Sequence, residues 1–179
     1  TQNALAVNPS LPAKSVKEFI ALAKSKPGQL SYASGGNGTS MHVSAELFNL
    51  MAGVNMTHVP YKGAGPALVD LIGGQVQASF VSVPAAAPHI KSGKVRALAV
   101  TGPRRSPLVP DLPTLSEAGL KGYGSEQWYG VLVPRETPRP VVQRLNQDFA
   151  WALGQPDTRT RLRDSGYDIS ADMTEQGFG

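Results

Sequence analysis

Cysteine is absent from all 179 residues, which excludes disulfides, thiolate metal sites and cysteine nucleophiles together. The absence does not separate an oxidising compartment from a reducing one. Charge is sparse as well: 17% of residues carry it, against a usual ~25%. Only 13 residues are acidic, and none pair within the apolar elements, so the two-carboxylate chemistry of glycosidases has no basis here. No apolar run approaches the roughly 18 residues that a spanning helix needs, so no transmembrane helix is expected. The net charge of +4 is scattered. Its largest groupings are Arg104-Arg105, in a proline-bounded loop, and Arg159-Thr160-Arg161-Leu162-Arg163, on an expected surface helix. Nucleic-acid footprints are clustered and interleaved with aromatics, so neither nucleic-acid binding nor direct membrane insertion is expected. A modest positive field still favours small anionic ligands.

Turns are abundant. Glycine (19) and proline (15) together make up about a fifth of the chain, well above the usual ~12%. They punctuate a regular alternation. Ala4-Leu5-Ala6-Val7 reads as a short strand closed by Asn8-Pro9, and Ser15 caps a helix with Glu18 as its capping-box partner. Leu30-Ser31-Tyr32-Ala33 is the next strand, followed at once by residues 34–40 and a helix from Met41 to Met51 that stops at Gly53. The unit then recurs: strand 56–61, a turn at Lys62-Gly63-Ala64-Gly65, and a short helix to Ile72 opened by Pro66. Strand 78–81 leads through Ser82 and Pro84 into a helix ending near Gly93, and residues 95–100 form a strand expected to be buried on both faces. Strands alternating with short helices predict βαβ units, an α/β fold and a mainly parallel sheet.

The texture changes after Val100. Residues 101–113 hold four prolines, residues 114–118 predict a one-turn helix, and residues 127–133 predict an apolar strand whose Trp128 and Tyr129 belong to a core. Residues 138–153 predict an amphipathic helix, Asp157 caps an arginine-rich one, and Tyr167-Asp168-Ile169 predicts a strand. Another element is expected to open at Met173-Thr174. A domain boundary is expected at Val100–Thr101.

The strongest chemical signal is a strand, a glycine-rich loop and a helix N-terminus, occurring twice. Residues 34–40 combine three glycines with the hydroxyls of Ser34, Thr39 and Ser40; residues 61–65 repeat the arrangement and add Lys62. Unpaired N–H groups and the helix dipole make such a point attractive to carboxylate or phosphate, and glycine lets a ligand approach the backbone. Nucleotide patterns fail. A P-loop needs lysine before the hydroxyl residue, where Gly38 precedes Thr39, and the dinucleotide fingerprint is interrupted at Met41 and Leu68. His42, His58 and His89 lack metal-ligand spacing, no nucleophile elbow occurs, and Ser40 and His42 point apart on one helix. No cofactor and no metal are expected. Two main readings follow: a binding protein for a small anion, or an α/β enzyme using Ser34, Thr39 or His42 on an acyl or phosphoryl substrate. An anion- or nucleic-acid-binding module driven by charge is the third.

Ala4 to Pro9, residues 34–40, Val59-Pro60-Tyr61-Lys62-Gly63 and Ala97-Leu98-Ala99-Val100-Thr101 resemble the solute receptors of tripartite tricarboxylate transporters, the Bug family. So do residues 113–119 and Trp128-Tyr129-Gly130. The resemblance runs through essentially the whole chain. It implies a periplasmic, non-enzymatic receptor of the type II periplasmic-binding-protein fold, with two α/β domains around a cleft. It also implies a small carboxylate as ligand and the transporter's membrane subunits as partners. Residues 1–8 would be a crossing strand, 9–100 the second domain, and 101–179 the C-terminal part of an incomplete first domain. The chain is accordingly expected to be a piece of a longer one, its signal peptide and N-terminal part lying elsewhere. The binding positions implied are Ser34, Gly36 and Thr39 in the first loop, Tyr61, Lys62, Gly63 and Ala64 in the second, and Ser82. Many relatives carry Asp where this chain has Val81, which argues against an ammonium-bearing ligand.

Overall fold

The computed structural model describes residues 1–167. Apart from Tyr167, the strand expected at Tyr167-Asp168-Ile169 and the element expected at Met173-Thr174 lie outside the described residues. The chain divides into two compact units, Thr1–Gln127 and Trp128–Gly179. The change of texture at Val100–Thr101 therefore falls inside the first unit.

Unit one contains β1 (Asn3–Val7), α1 (Val16–Ser25), β2 (Ser31–Ser34), α2 (Ser40–Ala52), β3 (Thr57–Pro60), α3 (Ala64–Ile72), β4 (Ala78–Ser82), α4 (Val83–Lys91) and β5 (Arg96–Val100). The five strands form one sheet in the order β3-β2-β4-β1-β5. β2 runs parallel to β3 and to β4, whereas β1 is antiparallel to both β4 and β5. Four strands thus share a direction, as short βα crossovers require, and β1 alone opposes them from inside the sheet.

The pleat sorts side chains to two faces. Leu5 and Val7 of β1, with Ala78 and Phe80 of β4, join Phe19 of α1 and Phe48 of α2 in one apolar cluster. Ala6, Ala33 and Val81 point the other way, into a cluster with Ala67, Leu68 and Leu71 of α3 and Ala86 of α4. Helices therefore cover both faces, and β1 is buried along its whole length. The Ser15 cap forms, its hydroxyl accepting the Glu18 N–H at 3.2 Å. The Glu18 carboxylate reaches back one residue further than a capping box requires, to the Lys14 N–H at 2.7 Å.

Several expectations are corrected. β5 is not buried on both faces throughout: Arg96 and Ala97 are only half-buried. The reason is that Arg96 sits at the rim, donating to the Leu11 and Ala13 carbonyls at 3.2 and 3.1 Å. Residues 114–118 form a hydrogen-bonded turn instead of a helix. Thr114 and Glu117 close it reciprocally, the Thr114 N–H donating to the Glu117 carboxylate at 2.9 Å and the Glu117 N–H to the Thr114 hydroxyl at 3.0 Å.

Unit two contains α5 (Arg139–Gly154) and α6 (Pro156–Asp164). Residues 128–133 form no strand, and Trp128 and Tyr129 are 64% and 68% exposed instead of belonging to a core. A strand needs a neighbour to pair with, and unit two holds none among the described residues. Asp157 is not the cap of α6: Pro156 occupies the first helical position, Gln155 precedes it as N-cap, and Asp157 instead pairs with Arg161 at 3.1 Å.

Candidate functional site

β2, β3 and β4 lie side by side, point the same way, and end at Ser34, Pro60 and Ser82. Each leads straight into a helix, so the N-termini of α2, α3 and α4 gather along the carboxyl edge of the sheet, where open α/β folds bind ligands. None of the three helices has an acidic residue in its first turn. Two, α3 and α4, have no side-chain cap. A helix end leaves its leading N–H groups without intrahelical partners, and carboxylates there would quench the positive end of the dipole.

Backbone hydrogen bonds sew the first two loops together. The Tyr61 N–H donates to the Ser34 carbonyl at 3.0 Å and the Gly63 N–H to the Gly35 carbonyl at 3.1 Å. Gly63, with φ 110° and ψ 168°, occupies backbone space that is essentially closed to other residues, and it delivers the chain directly into α3.

The expected site residues fall into different roles. Ser34 is fully buried. Its hydroxyl oxygen accepts the Gly36 N–H at 3.1 Å and lies 2.6 Å from His58 Nε2. Thr39 is the N-cap of α2, donating its hydroxyl to the Gly36 carbonyl at 2.8 Å and accepting the His42 N–H at 3.5 Å. The half-buried Tyr61 turns its hydroxyl onto Asp70 Oδ2 at 2.6 Å, and that hydrogen bond pushes the phenol pKa up to about 12. Lys62 is exposed, and Gly63 and Ala64 open α3. Ser82 stands half-buried at the N-cap of α4 on the end of β4. All eight expected residues thus belong to the three adjoining strand-to-helix junctions.

The sequence reading missed a ring stack beneath the first loop. His42 and His58 lie face to face with centroids 4.1 Å apart and planes 13° apart, and Tyr32 stacks on His58 at 4.9 Å, with its ring 6.5 Å from that of His42. The Tyr32 hydroxyl donates to Glu46, and burial together with that carboxylate raises its pKa far above the phenol range. The only signal available was strand alternation, which puts Tyr32 and Ser34 on one face beside His58, the register partner of Tyr32.

Ser34 and His58 have the spacing of a nucleophile and its base. The serine is nevertheless sealed from solvent, its oxygen already accepts a backbone N–H, and Glu46 is taken up by Tyr32 and Asn49. That geometry supports a brace for the loop better than a reacting centre.

Residues 1–178 match the family described as the tripartite tricarboxylate transporter family receptor. The chain belongs to that family. A UPF0065 protein encoded in the tcbD-tcbE intergenic region of Pseudomonas sp. (strain P51) is 40% identical over 154 residues, covering 86% of this chain and 46% of that protein. Among solved structures, R. palustris Rpa4515 with adipate superposes with a TM-score of 0.86 at 41% identity, covering 92% of this chain and 55% of that one. MatC from Rhodopseudomonas palustris with bound malate gives 0.85 at 39% identity, covering 92% and 56%. These family receptors share the periplasmic-binding-protein fold of mixed sheets with flanking helices. The chain spans about half the length of the curated relatives it matches.

For this family member the cap on α2 is open to a direct test. Thr39→Ala removes both hydroxyl bonds and should cost about 0.5–2 kcal/mol of stability. Thr39→Ser should restore most of that loss in a urea titration. Equal midpoints for wild type and Thr39→Ala would show that the Gly36 and His42 bonds contribute nothing.

Proposed function

We propose that the whole protein is a periplasmic solute receptor for a small carboxylate, which it delivers to the membrane subunits of a tripartite tricarboxylate transporter. One observation carries this reading: three helix N-termini without acidic residues meet at one edge of one sheet. Relatives whose titles name adipate and malate support the same ligand class. Residues 9–100 would form one ligand-binding lobe and residues 1–8 a strand crossing to the other. Residues 101–179 would serve as the C-terminal part of the opposite lobe, completed by the rest of the longer protein. Within the first lobe, Ala64 would offer a backbone N–H group, Lys62 a charge and Ser82 a hydroxyl proton, while Gly36, Thr39 and Gly63, whose N–H groups are already bonded within the loops, and Tyr61, whose hydroxyl donates to Asp70, would shape the wall of the site. Ser34 would hold the first loop in shape. The protein would bind its ligand without altering it.

Charge-assisted hydrogen bonds contribute about 1.5–3 kcal/mol each, so a few suffice for micromolar affinity. Calorimetry of the full-length protein with adipate and with malate should give at least one such affinity, and chromatography afterwards should recover the acid unchanged. Lys62→Met should weaken binding roughly tenfold and flatten its salt dependence. Turnover that disappears in Ser34→Ala would replace the receptor by the enzyme reading.

A further inference from the structure

The ring stack sits directly under the loop that the proposed function uses. Gly38, at the tip of residues 35–39 with φ 76°, donates its N–H to His42 Nδ1 at 3.1 Å. That nitrogen must therefore carry a lone pair, which puts the proton of a neutral His42 on Nε2. On β3, His58 Nε2 contacts the Ser34 hydroxyl, which in turn accepts the Gly36 N–H. One imidazole thus holds Gly38 directly, the other braces the serine that holds Gly36, and the two imidazoles lie against each other at 4.1 Å.

We propose that His42 and His58 are positioning residues of the anion loop, and that protonation of this stacked pair in mild acid releases the loop and lowers its hold on the ligand. The inference rests on the carboxylate-binding reading above, and it adds to it a control by proton concentration.

Chemistry sets the direction. A protonated Nδ1 would face the Gly38 N–H donor to donor, so that bond is lost. A second proton on His58 would bring two like charges to stacking distance, which disfavours double protonation. The titratable groups that act on the pair are Tyr32 from β2, Glu46 from α2, and the two histidines themselves. Tyr32 is neutral across the physiological range, as any phenol is, and burial with Glu46 raises its pKa further. His58 is held below the ordinary imidazole value, first by burial and then by His42, with Glu46 opposing. A base whose folded-state pKa is depressed stabilises the folded arrangement above its unfolded value, ~6.5, and loses that contribution as pH falls through the folded one. The closed loop is therefore the high-pH form.

The test uses the full-length protein with malate and adipate as probes at about pH 7.5 and about pH 5.5, the range over which histidine titrates. The expected result is an affinity about tenfold weaker at the lower pH in wild type. In His42→Gln, whose side-chain oxygen can accept the Gly38 N–H without titrating, the same pH step should change affinity much less. Comparing the two profiles cancels the titration of the acids themselves. A ligand-free measurement stands beside it: hydrogen exchange at the Gly38 amide, corrected for intrinsic rate, should lose protection on acidification in wild type. Parallel profiles in wild type and variant, or unchanged Gly38 protection, would overturn the proposal. So would tighter binding in acid, which would make the imidazolium a counter-ion of the ligand. Absence of binding at both pH values would count against the receptor reading, while the exchange measurement would still decide the role of the pair.

Discussion

Phe48→Ala is expected to destabilise the first unit by about 3–5 kcal/mol, the usual cost of emptying a buried aromatic position. Phe48 is fully buried on α2, with its ring centroid 5.8 Å from Phe19 and 5.6 Å from Phe80. The truncation removes both tilted ring pairs, worth about 0.5–1.5 kcal/mol each beyond their area, and leaves a void between two helices and the sheet. Because α1, α2 and β4 all contribute to that contact, none can close the gap without dragging its own neighbours. A thermal midpoint lower by roughly 10 °C is the expected readout. Since α2 also carries Thr39 and His42, ligand affinity should fall in parallel. A loss below about 1 kcal/mol would show that α2 repacks freely, and the rigid-loop account of the site would fall with it.

Gly35→Val should abolish ligand binding while leaving most of the core intact. A Cβ at Gly35 would come within 3.2 Å of the Ala64 nitrogen and 3.3 Å of the Gly63 carbonyl carbon. Both are main-chain atoms, which cannot swing aside as a side chain can. Valine adds two methyl groups beyond that Cβ, so the seam is expected to widen, straining the Gly63 N–H to Gly35 carbonyl bond and shifting the start of α3 away from the first loop. Groups that must converge on one anion then no longer do so. We expect an affinity at least about a hundredfold weaker, which corresponds to two bonds' worth of lost convergence, and a far smaller loss of stability than for Phe48→Ala. Binding within threefold of wild type, measured by calorimetry on a folded sample, would show that the two loops act independently.

Much of this architecture is legible in the sequence, and the reason is local. Gly28, Gly53, Gly74 and Gly93 all adopt positive φ at or near the ends of elements, so the breaks in the pattern coincide with real turns. The Ser15 cap was legible for the same reason: its partner lies within four residues. Relations between distant segments were not. Nothing within Asn3–Val7 says that it lies antiparallel between β4 and β5, because pairing partners are chosen by the whole sheet. Residues 128–133 have strand composition and no strand, since composition cannot supply a neighbour. The His42–His58 stack was hidden in the same way. It joins a helix to a strand that lie apart in sequence, and neither histidine has a spacing that points to the other.

The placement of β1 bears on how the chain assembles. Leu5 pairs with Phe80 on one side and with Ala99 on the other, so β1 cannot complete its pairing until two strands much later in the chain are available. Until Arg96–Val100 is available, Asn3–Val7 can pair with β4 on one side only, and its other edge stays open. Contacts of such long sequence separation slow folding and prolong exposure of unpaired strand edges. Chains halted before residue 96 should therefore be the aggregation-prone species. Closure by β5 would be the commitment step, after which the ligand-facing loops acquire their geometry all at once.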